Sequence, residues 1–127
     1  MAYIINKTNG GVFATVADGT VDTSSSITVV GRNYAGYGEF LGENFVKILE
    51  NFANTSEPGN PLEGQLWYDT SNNVLKVRNS TEFKTLGSLK VAAVAPATSL
   101  IEGDLWFDSS SNKQLHVYNG SSFVLVG

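Results

Sequence analysis

Along the chain the apolar positions first come in short β-branched and aromatic runs, then recur every three or four residues, and then alternate. Tyr3-Ile-Ile5, Val12-Phe-Ala-Thr-Val16 and Ile27-Thr-Val-Val30 have strand character. Asn9-Gly10-Gly11 and Asp18-Gly19 punctuate them, and such pairs supply the positive φ angles of tight turns, so the first two runs predict a hairpin. Asp22-Thr-Ser-Ser-Ser26 is polar enough for a loop into the third strand. From Glu39 to Ala53 the period changes: Leu41, Phe45, Ile48, Leu49 and Phe52 form one stripe of an amphipathic helix, predicted over about 39–53. Tyr34-Ala-Gly-Tyr-Gly38 is a glycine-rich approach to it, and Glu43 and Lys47 are spaced to pair at i,i+4. Asn54-Thr-Ser-Glu-Pro-Gly-Asn-Pro61 ends the helix with two prolines.

Beyond that stop the chain repeats itself. Glu63-Gly-Gln-Leu-Trp-Tyr-Asp69, Leu75-x-Val77-x-Asn79 and Phe83 return as Glu102-Gly-Asp-Leu-Trp-Phe-Asp108, Leu115-x-Val117-x-Asn119 and Phe123. The opening block is displaced by 39 positions and the following strand by 40, so one extra residue sits in the intervening turn. A repeat of this length marks a supersecondary unit that is duplicated to bury an apolar face. Each copy predicts a three-strand meander, Gln65–Asp69, Val74–Arg78 and Glu82–Leu86 in the first, Asp104–Asp108, Gln114–Tyr118 and Phe123–Val126 in the second. Asx and Ser turns join the strands. Lys90–Ala97 connects the copies as an extended edge segment or as a linker. The predicted fold is mainly β (α+β), with an N-terminal part at 1–56, a first β repeat at 57–89, and a linker with the second repeat at 90–127.

Period two places Leu66, Tyr68, Leu75 and Val77 on one side of the first meander, with Leu105, Phe107, Leu115 and Val117 equivalent in the second. That side is expected to be core. Trp67 and Trp106 fall opposite, beside Lys76 and Arg78 in one copy and His116 and Tyr118 in the other. A lone meander of such short strands is marginal in water, so the Trp side needs a cover from the other repeat, the helix or a neighbouring subunit.

Composition narrows the possibilities. Charged residues make up only 16% of the chain, leaving a surface of Ser, Thr, Asn and Gly of the kind found on extracellular and particle-borne β proteins. The net charge of −4, with eight Lys and Arg, argues against a nucleic-acid partner, which needs a concentrated basic patch. No cysteine is present, so stability is expected from burial or oligomerisation rather than from disulfides or thiolate zinc. No apolar run approaches the roughly 18 residues of a membrane span, and the N-terminus lacks a basic segment followed by an apolar one, so synthesis in a cytoplasm without membrane insertion is expected.

Catalytic residues are not expected. The single histidine, His116, has no acidic neighbour in sequence to build a triad or metal site. The carboxylate pairs Glu63/Asp69 and Glu102/Asp108 could serve a glycosidase, but each Asp closes a strand into a turn and each Glu precedes a glycine, which turn chemistry explains. Neither oxygen-rich turn carries the Glu that an EF-hand loop needs at its twelfth place, and the glycines near Tyr34 lack the Lys-Ser/Thr of a phosphate loop. No cofactor or metal is assigned. The interface or ligand-stacking candidates are Trp67, Trp106, Tyr118, His116 and Arg78, as core or intersubunit packing or as platforms for sugar rings.

Taken together, the Glu-Gly-x-Leu-Trp-aromatic-Asp opening, the Asn-rich turn, the Leu-x-Val strand and the closing aromatic resemble short β modules of virion structural proteins, tail-fibre or tail-associated, in large contractile-tailed bacteriophages. The upstream block from Gly31 to Asn54 is similar to the segment preceding such modules, so the resemblance spans roughly residues 10–127. It implies a non-enzymatic virion component, made in the host cytoplasm and oligomeric, that contacts its own copies and other virion proteins. Because proteins of this kind are usually longer, the resemblance favours a small tail or fibre-base adaptor or decoration subunit. The alternative is a carbohydrate-binding module for a host surface glycan, and a third class is a glycan-degrading enzyme.

Overall fold

The computed structural model describes residues 1–87, 89–98 and 100–126. Ser88, Ser99 and Gly127, which fall in the predicted first repeat, linker and second repeat, lie outside the described residues. The fold is mainly β with one helix. Strands β1 (Tyr3–Asn6) and β2 (Val12–Val16) form the predicted antiparallel hairpin, with a register shift between Ile5 and Asn6. Its turn is closed by the Lys7 amide on the Gly11 carbonyl at 2.7 Å. A second, two-residue pairing joins β3 (Val21–Asp22) to β4 (Val29–Val30), so the third predicted strand is cut to its last two residues. Ala14 and Val16 are the buried hydrophobic residues of this N-terminal part.

Helix α1 spans Tyr37–Leu49, starting two residues before the predicted 39 and stopping four before 53. The early stop has a defined cause. Asn51 adopts a left-handed conformation (φ 52°), its amide bonds the Ile48 carbonyl and the Phe52 amide bonds the Lys47 carbonyl, a Schellman closure. Phe52 is also left-handed (φ 55°), an uncommon position for a bulky side chain. The helix rests on β4. Asn44 is its buried residue, while most of the stripe predicted to face inward is exposed. No ion pair joins Glu43 to Lys47 among the described residues.

The repeats fold as two separate sheets. The first is β5 (Leu66–Asp69), β6 (Val74–Arg78) and β7 (Phe83–Thr85), an antiparallel meander. The second adds an upstream strand, β8 (Leu89–Ala92), parallel to β9 (Leu105–Asp108), which continues antiparallel into β10 (Gln114–Tyr118) and β11 (Phe123–Leu125). The connector therefore contributes an edge strand, the first of its two predicted forms. The first module has a counterpart of β8 in miniature, since Asn54 bridges Asp69 in parallel.

The face assignment is corrected. The buried residues of the modules are Trp67, Asp69 and Val74 in one and Asp104, Trp106 and Asp108 in the other, whereas Leu66 is exposed and Tyr68, Leu75, Val77, Leu105, Phe107, Leu115 and Val117 are only half-buried. The Trp side is the better-covered one because each module closes over its own indole. An indole offers the largest apolar area of any side chain in the strand and an N–H that finds a partner in the same module.

Candidate functional site

The two modules are built on the same hydrogen bonds. Leu62-Glu63-Gly64-Gln65 and Ile101-Glu102-Gly103-Asp104 are turns closed by Gln65 N–H on the Leu62 carbonyl (3.1 Å) and Asp104 N–H on the Ile101 carbonyl (2.9 Å). Gly64 and Gly103 hold φ of 91° and 96° at the third turn position, which explains the Glu-Gly of the motif as type II turn chemistry. Next, Gly64 N–H bonds the Arg78 carbonyl and Gly103 N–H the Tyr118 carbonyl, both at 2.8 Å, which sets the register of the first two strands. Asp69 and Asp108 each accept an amide two residues on, from Ser71 at 3.0 Å and Ser110 at 2.9 Å. Asn79 Oδ1 takes the amides of Thr81 and Glu82, and Asn119 Oδ1 those of Ser121 and Ser122.

Each indole N–H points at the upstream segment. Trp67 Nε1 donates to the Asn54 carbonyl at 3.3 Å and Trp106 Nε1 to the Ala92 carbonyl at 3.0 Å. The same carbonyls also accept the amides of Thr70 and Ser109, each at 3.0 Å. One oxygen thus fixes both the Trp and the start of the Asp turn. The ring faces are closed by Phe83, edge-on to Trp67 at 5.3 Å, and by Phe123, edge-on to Trp106 at 5.4 Å. With 6% and 9% exposure, neither indole presents a platform on which a sugar ring could stack.

The five candidate residues all lie in the modules, but they divide between two sheets and do not converge. Opposite Trp67 in register stands Lys76, its ammonium 4.8 Å from the ring centroid and 2.9 Å from Asp69 Oδ2. Opposite Trp106 stands His116, stacked at 4.5 Å with 24° between the planes. Arg78 lies over Phe83 at 5.5 Å, where the second copy sets Tyr118 against Phe123 at 5.2 Å. The copies therefore exchange cation–π contacts for ring–ring contacts at the same two positions, and both kinds close the module. His116 Nδ1 is buried without a hydrogen-bond partner among the described residues.

The carboxylates at the turns are held as anions. Burial is the largest single influence on Asp69 and opposes its charge, but hydrogen bonds from Asn72, Lys76 and the Ser71 amide, with the Lys76 charge, together keep its carboxyl below the ordinary value of 3.8. Asp108 is lowered by the Ser110 hydroxyl and amide, against burial, with Asn112 and the charge of His116 assisting. Glu63 and Glu102 are exposed on the preceding turns. Among the described residues no three His, Asp or Glu side chains gather where they could hold a metal ion, and no helix is long and apolar enough to cross a membrane.

Two features lie outside the residues singled out from the sequence. A groove of about 540 Å³ runs between the β3–β4 segment and the start of α1, lined in part by Tyr3, Arg32, Tyr34, Tyr37 and Asn44. Arg32 sits over the Tyr3 ring there at 5.4 Å. Beside it, α1 leaves Phe45 62% and Leu49 83% exposed, together with Tyr37, Leu41, Val46 and Ile48. The signal for this face was present in the helical period, which located the stripe but not which side the body of the chain would take. No family model, curated protein or solved structure matches the chain.

Proposed function

We propose that the chain is a non-enzymatic structural subunit of a tailed-phage particle, a tail, fibre-base or decoration component that works through contacts with its own copies and with other virion proteins. The observation that carries this reading is a surplus of surface. A compact monomer of 13.6 kDa exposes about 6,600 Å². This chain exposes 8168 Å², and part of the surplus is large apolar side chains on α1. Modules that close over their own Trp residues, with turn carboxylates engaged by backbone and side-chain donors, give rigid spacing units rather than open sites. The sequence motifs of the repeat, which resemble those of virion modules, supply the particle context.

The test is particle association. Antibody against the purified chain should label intact phage particles released by lysis of the cells that produce it, and quantitative mass spectrometry of those particles should return several copies per virion. Its absence from purified particles sinks the reading.

A further inference from the structure

We propose that Asn119 is a site of self-modification, where the side chain closes onto the Gly120 nitrogen with loss of ammonia and reopens with water to aspartate. The proposal is independent of the particle-borne reading. The chain holds two Asn-Gly pairs, Asn9-Gly10 and Asn119-Gly120, while Asn79, the counterpart of Asn119 in the first module, precedes Ser80. Ring closure sets two conditions. The amide nitrogen that follows the Asn must be free to attack, and the negative charge that gathers on Oδ1 during the attack must meet donors already in place.

The three sites divide these conditions. Asn119 Oδ1 accepts the Ser121 and Ser122 amides, both at 2.9 Å, the distance of donors in an oxyanion pocket. The Gly120 N–H bonds no acceptor among the described residues, and Asn119 and Gly120 are both exposed, so water and base reach them. At Asn9 the nitrogen is engaged, since Gly10 N–H donates to the Lys7 carbonyl at 2.9 Å, and Oδ1 holds a single amide, that of Gly11 at 2.9 Å. Asn79 has the paired donors, the Thr81 amide at 2.8 Å and the Glu82 amide at 2.7 Å, but its attacking nitrogen belongs to Ser80, which carries the Cβ that a glycine lacks. Of the three, Asn119 joins an unbonded glycine nitrogen to a two-amide cradle.

The reaction balances with water alone. The Gly120 nitrogen gives its proton to solvent base and bonds Asn119 Cγ, the Cγ–Nδ2 bond breaks, and Nδ2 leaves as ammonia. Water then adds to one of the two imide carbonyls, and cleavage of the C–N bond there leaves either ordinary aspartate or aspartate linked through its side chain. The side-chain-linked form lengthens the main chain by one CH2 between β10 and β11 and displaces the Oδ1 acceptor. Phe123, which follows in β11, then loses its edge-on position against Trp106 at 5.4 Å. The second module loosens, and the first, with Asn79-Ser80, keeps its turn.

The experiment is peptide mapping by mass spectrometry of the full chain held folded in mildly alkaline buffer, read as the NH2-to-OH mass gain at each Asn against time. Asn119 should convert at least about fivefold faster than Asn9, the factor for breaking one hydrogen bond before attack. In urea that difference should vanish, because both sites are then unstructured Asn-Gly pairs. Ser80→Gly sets a glycine beside the donor pair of the first module and should raise conversion at Asn79 toward that at Asn119, with circular dichroism unchanged. In Trp67→Phe the emission of Trp106 should move to the red in step with conversion, whereas in Trp106→Phe that of Trp67 should hold. Conversion at Asn9 as fast as at Asn119, a preference of the same size in urea, or an unreactive Asn79 in folded Ser80→Gly overturns the proposal.

Discussion

Asn44, three residues after Leu41 and four before Ile48, borders the stripe of Leu, Phe and Ile on the helical period, and this polar residue rather than a member of the stripe is the buried one of α1. Its side-chain amide explains how a polar group is buried there. Oδ1 accepts the Thr28 amide at 3.0 Å and Nδ2 donates to the Thr28 carbonyl at 2.7 Å, so one side chain satisfies both backbone groups of a residue next to β4, as a neighbouring strand would. A leucine there would fill a similar volume but leave a donor and an acceptor unpaired at the helix contact. Asn44→Leu should therefore destabilise the N-terminal part by about 1–3 kcal/mol. Urea unfolding followed by far-UV circular dichroism measures it, and an unchanged midpoint would show that the clamp contributes nothing. The same scale explains how the two copies differ without changing shape. Lys76 and His116 are chemically unlike, but each lies on the face of the Trp opposite it, one by cation–π attraction and one by stacking.

At the scale of elements the repeat was readable because its signals are local. Glu-Gly encodes a turn with positive φ at Gly64 and Gly103, Asp and Asn at strand ends encode side-chain-to-amide turns, and Leu-x-Val marks the middle strand. The hairpin β1–β2 and the six strands of the meanders follow from such signals. What was not readable is long-range. The cover for each Trp comes from the carbonyl of a segment upstream and from a Phe two strands away, which alternation alone cannot show, so the wrong side of the sheet was expected to be core. The turn carboxylates give this scale its prediction. Asp69 and Asp108 titrate below 3.8 in the folded chain, so on acidification the unfolded state binds the protons first. Their contribution to stability is then complete above about pH 5 and is lost as pH falls from about 4 through the lowered folded values. Thermal melts should be level from pH 7 to 5 and decline below 4, and Asp69→Asn, less stable at neutral pH, should decline less steeply. An identical acid slope in that variant would sever the turn carboxylate from the acid response.

For the whole molecule, the decisive fact is that the two modules share no sheet: β5–β6–β7 and β8–β9–β10–β11 are separate. The first is tied to the helix end, since Tyr68 N–H bonds the Asn51 carbonyl and Asn54 N–H bonds the Tyr68 carbonyl, whereas the second draws its upstream strand from the connector. Loss of order at the helix end should therefore reach the first module before the second. The chain carries two Trp residues, one buried in each module, which makes the two separately observable. In Trp106→Phe fluorescence reports the first module, and in Trp67→Phe the second. Replacing Trp by Phe keeps most of the apolar volume, though it leaves the Asn54 or Ala92 carbonyl without its indole donor and so costs the probed variant about 1 kcal/mol. Adding Asn44→Leu to each should lower the urea midpoint seen by Trp67 more than that seen by Trp106, with the two transitions no longer superimposed. Equal shifts at both probes would mean that the helix, the first module and the second unfold as one cooperative unit, and the repeats would then be joined more tightly than their separate sheets imply.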